Sequence, residues 1–154
     1  MARAARGAGG AALAATLWLA GAGAVAAQAA EGDPAAGETV FNNCTACHVV
    51  ADPEGNTLAG GAGRVGPNLY GLGGRTAGTV EDFRYSDAMV EAGEAGLTWT
   101  AETIVPYLQD PTGYLREYLD DPGARGKMSY RLRDEQDARD VFAYIESLGG
   151  GGEG

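Results

Sequence analysis

The apolar positions of the chain fall into short helical stripes separated by glycine-rich stretches, and no run alternates strictly enough to predict a sheet. Residues 31–48 read as a helix. Asp33 is placed to cap it, Pro34 suits its first turn, and Gly37, Phe41 and Cys44 recur at spacings of four and three on one face. Ser86 to Glu94 combines a serine cap with a short helical pattern. Thr100 to Leu108 has Glu102 in its first turn and a weak capping-box pairing of Thr100 with Thr103, while Pro106 should kink or shorten it. Pro111 to Leu119 is a further helix. Asp134 to Leu148 is the clearest, with Val141, Tyr144, Ile145 and Leu148 forming one apolar stripe. The class this pattern predicts is all-α with long loops.

From Val49 to Val80 glycines are too frequent for a stable helix or strand, yet Leu69, Tyr70 and Leu72 are apolar. A long loop in a small domain is usually functional or disordered. Wrapping it around a bound group would order it.

The length suits one domain, residues 30–149, followed by a glycine-rich tail at 150–154 that should fray. Residues 1–29 read as a signal peptide: Arg3 and Arg6 start it, an Ala/Gly-rich apolar run follows, and Ala27-Gln28-Ala29 fits cleavage between Ala29 and Ala30. The two arginines are not adjacent, so the pattern is Sec-type rather than twin-arginine. The alternative is a retained anchor, since the run is long enough to span a bilayer but only weakly hydrophobic. Loss of Arg3 and Arg6 would leave nine basic residues against 21 acidic ones, a formal charge of −12. Such an average charge excludes nucleic acid and anionic membrane as partners bound through it.

The chemistry concentrates at "FNNCTACHVV", which holds both cysteines and the sole histidine, in the order Cys44-x-x-Cys47-His48. Two thiols one turn apart can add across the two vinyl groups of haem, and an adjacent imidazole can then ligate the iron; this is the c-type attachment signature. A structural zinc site wants a fourth ligand. A thioredoxin-like dithiol wants a βαβ context. A cysteine nucleophile wants a histidine elsewhere, and a two-residue disulfide ring would be a poor staple. Absence of a second histidine rules out bis-histidine ligation within the chain. Of the remaining methionines, Met89 sits in an amphipathic pattern that suits core packing, whereas Met128 in "ARGKMSYRL" has polar or charged neighbours and no ordinary core role. Met128 is therefore the expected sixth ligand. His/Met ligation fills both axial positions and suits electron transfer.

These residues, with "GETVFNNCTACH", "GPNLYGLGGRTAGT", "YSDAMVEAG", "GLTW", "PTGYLREYLDD", "GKMSYRL" and "VFAYI" in order, resemble the class I cytochromes c, most closely the cytochrome c2 type. The resemblance implies about five short helices and long glycine-rich loops around one covalent haem c, with the first and last helices crossing at Gly37, Phe41, Val141 and Tyr144. It implies thioethers at Cys44 and Cys47, and His48 and Met128 on the iron. It implies a Pro67 carbonyl that orients His48, propionate contacts from Arg75, Tyr85 and Trp99, and a Tyr107 hydroxyl near the axial sulfur. Tyr130 stands where many members have phenylalanine beside the haem edge, and the chain has one lysine, Lys127, where many members dock with several.

The implied role is a soluble, monomeric periplasmic one-electron carrier rather than an enzyme, passing electrons from a cytochrome bc complex to a photosynthetic reaction centre or terminal oxidase. Arg125, Lys127, Arg131 and Arg133, with no acid between Pro122 and Arg133, suggest a basic ring for transient docking. The alternatives are an acceptor dedicated to one periplasmic dehydrogenase and a haem-based ligand sensor.

Overall fold

The computed structural model describes residues 32–149, apart from 62 and 64. Five helices are found among them: α1 (Pro34–Phe41), α2 (Asp87–Glu94), α3 (Ala101–Gln109), α4 (Pro111–Tyr118) and α5 (Glu135–Leu148). None is long and apolar enough to cross a membrane. The residues expected to form a signal peptide, 1–29, and the tail at 150–154 lie outside the described residues.

Helix α1 starts where its chemistry dictates. Asp33 caps it by accepting from Ala35 N–H at 2.9 Å, and Pro34 opens its first turn. It stops at Phe41, short of the expected residue 48, because Asn42 and Asn43 turn their amides back onto the carbonyls of Thr39 and Val40, each at 3.1 Å. Such local bonds compete with the helical ladder. The chain then continues as tight turns: Cys44 N–H reaches Phe41 O at 2.8 Å, and His48 N–H reaches Cys44 O at 2.9 Å.

The glycine-rich segment departs from expectation. Val49–Ala51 (β1) pairs antiparallel with Thr57–Gly60 (β2), where no strand was expected. The hairpin is closed by Asp52, whose carboxylate accepts from Asn56 N and Nδ2, both at 2.8 Å, while Gly55 turns with φ +87°. Its far side is held by Asn68, which donates to Ala51 O at 2.8 Å and accepts from Ala51 N at 3.0 Å. Side chains distant in sequence thus supply what strand propensity lacks.

Pro106 does not end α3, which runs on to Gln109. The carbonyl it leaves without a donor belongs to exposed Glu102, where water can serve it. Ser86 caps α2 as the sequence suggests, and Asp134 caps α5.

Helices α1 and α5 cross at Gly37. A β-carbon there would lie 1.9 Å from Asp140 O and 2.8 Å from Tyr144 Cβ, so only glycine permits the approach. Phe41 and Tyr144 pack beside it with ring centroids 5.5 Å apart. Buried Asp140 ties the start of α1 to α5, accepting from Asp33 N–H at 2.7 Å and from Gln136 Nε2 at 2.8 Å. Val141 and Ile145 of the apolar stripe are buried. So is Phe142, which lies off that stripe and faces a cavity enclosed by the loops.

Candidate functional site

That cavity has walls from nearly every part of the fold. Leu69, Leu72, Ile104, Leu108, Phe142 and Ile145 make it apolar. Cys44, Cys47 and His48 enter from the turns after α1, and Met128 enters from the loop between α4 and α5. Pro67, Arg75, Tyr85, Trp99, Tyr107 and Tyr130 line it too, so all ten site residues expected from the sequence meet there.

The imidazole of His48 is held on both sides. Its Nδ1 lies 2.9 Å from Pro67 O, so Nδ1 carries the proton and donates. The lone pair is then left on Nε2. Gly66 lies flat against the ring: a β-carbon there would come within 2.3 Å of Cε1. Gly66 is strapped in turn by its N–H to Cys47 O at 2.8 Å. Burial lowers the His48 pKa, with the Pro67 bond opposing. Burial pushes the Cys44 thiol up to about 11, and Cys47 adds to the shift. Neither cysteine is in a disulfide.

Arg75 and Trp99 are brought together by backbone pairing. Gly74 N–H donates to Trp99 O at 2.8 Å, Trp99 N–H to Arg75 O at 3.0 Å, and Ala77 N–H to Leu97 O at 2.9 Å. The Arg75 guanidinium donates through Nη1 to Tyr70 O at 2.9 Å and through Nη2 to Asn68 O at 3.2 Å. Among the described residues it has no carboxylate at ion-pair distance. Burial lowers its pKa and the nearby Tyr85 opposes; burial raises Tyr85. The Tyr107 phenol is deeply buried and raised strongly for that reason.

Both Met89 and Met128 reach the cavity wall. Met89 belongs to α2 and is buried in the core at 6% exposure, whereas Met128 is half-buried on a loop between exposed Lys127 and exposed Ser129. Tyr130 and Val65 stand at the mouth, 42% and 74% exposed.

Sequence reasoning missed Gly66, Asn68 and Phe142. Asn68 stands inside the quoted "GPNL"; its side chain bonds β1 at Ala51, and its backbone carbonyl accepts from Arg75. Gly66 and Phe142 show their roles only through contacts that cross the fold.

Two thiols, an imidazole with one free nitrogen, a loop thioether and apolar walls are a donor set that fits haem. The fold and this cavity define a c-type haem protein. The chain belongs to the cytochrome c family, whose model matches residues 34–149. It is 58% identical over 118 residues to cytochrome c2 of Rhodovulum adriaticum, covering 77% of this chain and 94% of that protein. It is 51% identical over 121 residues to cytochrome c-551 of Roseobacter denitrificans, covering 79% and 84%. The crystal structure of cytochrome c2 from Rhodobacter sphaeroides superimposes with a TM-score of 0.75 at 50% identity, covering 77% of this chain and 97% of that one. The all-α class I cytochrome c fold follows. The chain carries one covalent haem c, with Cys44 and Cys47 its only thiols, and is a haem electron carrier rather than an enzyme.

Proposed function

We propose that this carrier works in the periplasm, its iron held by His48 and Met128 and its thioethers made by Cys44 and Cys47. It takes electrons from a cytochrome bc complex and passes them to a reaction centre or terminal oxidase. The observation that carries the reading is the His48 Nδ1 bond to Pro67 O, because it leaves Nε2 as the ligating nitrogen and fixes the ring. Haem, when bound, supplies the one-electron chemistry; the protein supplies orientation, potential and a docking surface.

Each residue then has a task. Pro67 and Gly66 stop the His48 ring turning. Met128 arrives half-buried on a loop between exposed Lys127 and Ser129, as expected of a ligand. Arg75, with no carboxylate at ion-pair distance among the described residues, would meet the propionate charges with Tyr85 and Trp99, since an unpaired buried charge is costly. Tyr107, which lines the same cavity as Met128, would offer its hydroxyl near that sulfur. Lys127 lines the cavity and exposed Arg125 and Arg133 would add positive charge to the same docking face. Arg131 is partly spent on Asp110 at 2.9 Å, and Lys127 donates to Arg84 O.

A reversible redox titration with ferrous carbon monoxide binding tests the core of this reading. One-electron behaviour and refusal of carbon monoxide support the carrier; ready binding favours a ligand sensor. N-terminal sequencing of the exported protein tests cleavage after Ala29. Stopped-flow with isolated partners tests docking. Rates should fall with salt and with charge reversal at Arg125, and rates indifferent to both would remove the basic ring.

A further inference from the structure

Four oxidisable rings run from the cavity to the surface. Trp99 and Tyr107 both line the cavity, are buried, and have centroids 4.9 Å apart. Tyr107 meets Tyr114 edge-on at 6.0 Å, across the corner between α3 and α4. Tyr114 stacks on Tyr118, one turn further along α4, at 6.0 Å and 26°. Exposure rises along the series, from 6% at Trp99 and 7% at Tyr107, through half-buried Tyr114, to 38% at Tyr118. All four members are indole or phenol; none is phenylalanine.

Packing alone accounts for aromatic contact at these spacings. It does not account for an indole or phenol at every position, nor for a series that ends at a partly exposed Tyr118. Nor does the ordinary working electron use these rings, since a phenol is much harder to oxidise than ferrous haem. Only a strongly oxidising equivalent can enter them.

We propose that Trp99, Tyr107, Tyr114 and Tyr118 form a relay that discharges oxidising equivalents from the cavity to the protein surface, protecting the haem site when a hydroperoxide attacks it. The proposal rests on haem occupying the cavity. An electron moves inwards along the rings, and the deficit settles where a phenol can lose its proton to water. Buried Tyr107 cannot do so readily; Tyr118 can. Hydrogen peroxide needs two electrons and two protons to become two waters. A small reductant such as ascorbate supplies them at Tyr118 in two steps of one electron and one proton, each restoring the phenol, and is itself oxidised by two electrons. Without reductant, Tyr118 radicals on two molecules couple ring carbon to ring carbon as dityrosine.

The test treats haem-loaded protein with hydrogen peroxide without reductant and maps dityrosine by fluorescence and peptide mass. Wild type is compared with Tyr118→Phe, Tyr114→Phe and Tyr130→Phe. The ferric spectra of Tyr118→Phe and Tyr114→Phe before treatment show that the iron site is unchanged, which keeps failure of the relay separate from failure of the ligand assignment. Dimers linked through Tyr118 are expected in wild type and Tyr130→Phe. Loss of dimers is expected in Tyr118→Phe. Reduced Tyr118 cross-linking and faster haem bleaching are expected in Tyr114→Phe, which keeps the ring contact but not the phenol. The proposal is overturned if wild type forms no dityrosine or if cross-links map to Tyr130. It is equally overturned if Tyr118 couples as well in Tyr114→Phe, or if haem-free chain cross-links equally.

Discussion

The Nδ1 of His48 sits 2.9 Å from the carbonyl oxygen of Pro67, and this one bond decides which ring nitrogen can meet a metal. Its geometry depends on Gly66. In Gly66→Ala the methyl would come within 2.3 Å of the imidazole, which cannot swing away without breaking the Pro67 bond. Overpacking of this kind costs about 1–3 kcal/mol. We expect a lower unfolding midpoint in guanidinium and a perturbed visible spectrum; an unchanged spectrum would mean the ring is not so confined.

The helix crossing gives a larger effect without touching the site. Gly37→Ala places a β-carbon 1.9 Å from Asp140 O, a backbone atom that cannot turn aside. We expect destabilisation of about 3 kcal/mol or more, with the helices forced apart. Denaturant unfolding should show the midpoint falling at constant m-value.

Much of this was legible in the chain itself. Cys44, Cys47 and His48 declare their chemistry by spacing, and Asp33, Pro34, Ser86 and Asp134 mark helix starts because capping is local. The hairpin was not legible. Its strands have three and four residues and depend on Asn68, 17 positions beyond Ala51. Phe142 was overlooked because it lies outside the stripe of Val141, Tyr144, Ile145 and Leu148, yet is buried beside Val141 and Ile145 at the cavity. Lining alone does not separate Met89 from Met128, which differ in element and in burial.

Arg75 holds two loop carbonyls, those of Tyr70 and Asn68. Arg75→Leu would strand both, at about 1–3 kcal/mol for each buried group left unpaired. Arg75→Lys, a compact charge without the fork, should recover only part of the loss. Thermal unfolding of the loaded proteins should rank wild type above Arg75→Lys above Arg75→Leu.

Burial raises the pKa of Tyr107 from its ordinary value of 10.0. The folded state therefore keeps a proton that the unfolded state loses above that pH. Its contribution to stability is complete below pH 10.0 and is lost as pH rises further. Between about pH 9 and pH 11, wild type should lose more stability than Tyr107→Phe, measured by denaturant unfolding at both values. Equal losses would show that Tyr107 ionises freely in the fold.

In the proposed reading Met128, not Met89, completes the iron site. The visible spectrum of the ferric protein tests it most directly, with wild type, Met128→Ala and Met89→Leu side by side. A weak far-red sulfur-to-iron band is expected in wild type and Met89→Leu, with its loss in Met128→Ala and carbon monoxide binding only in ferrous Met128→Ala. A band that survives Met128→Ala, or disappears in Met89→Leu, would contradict it.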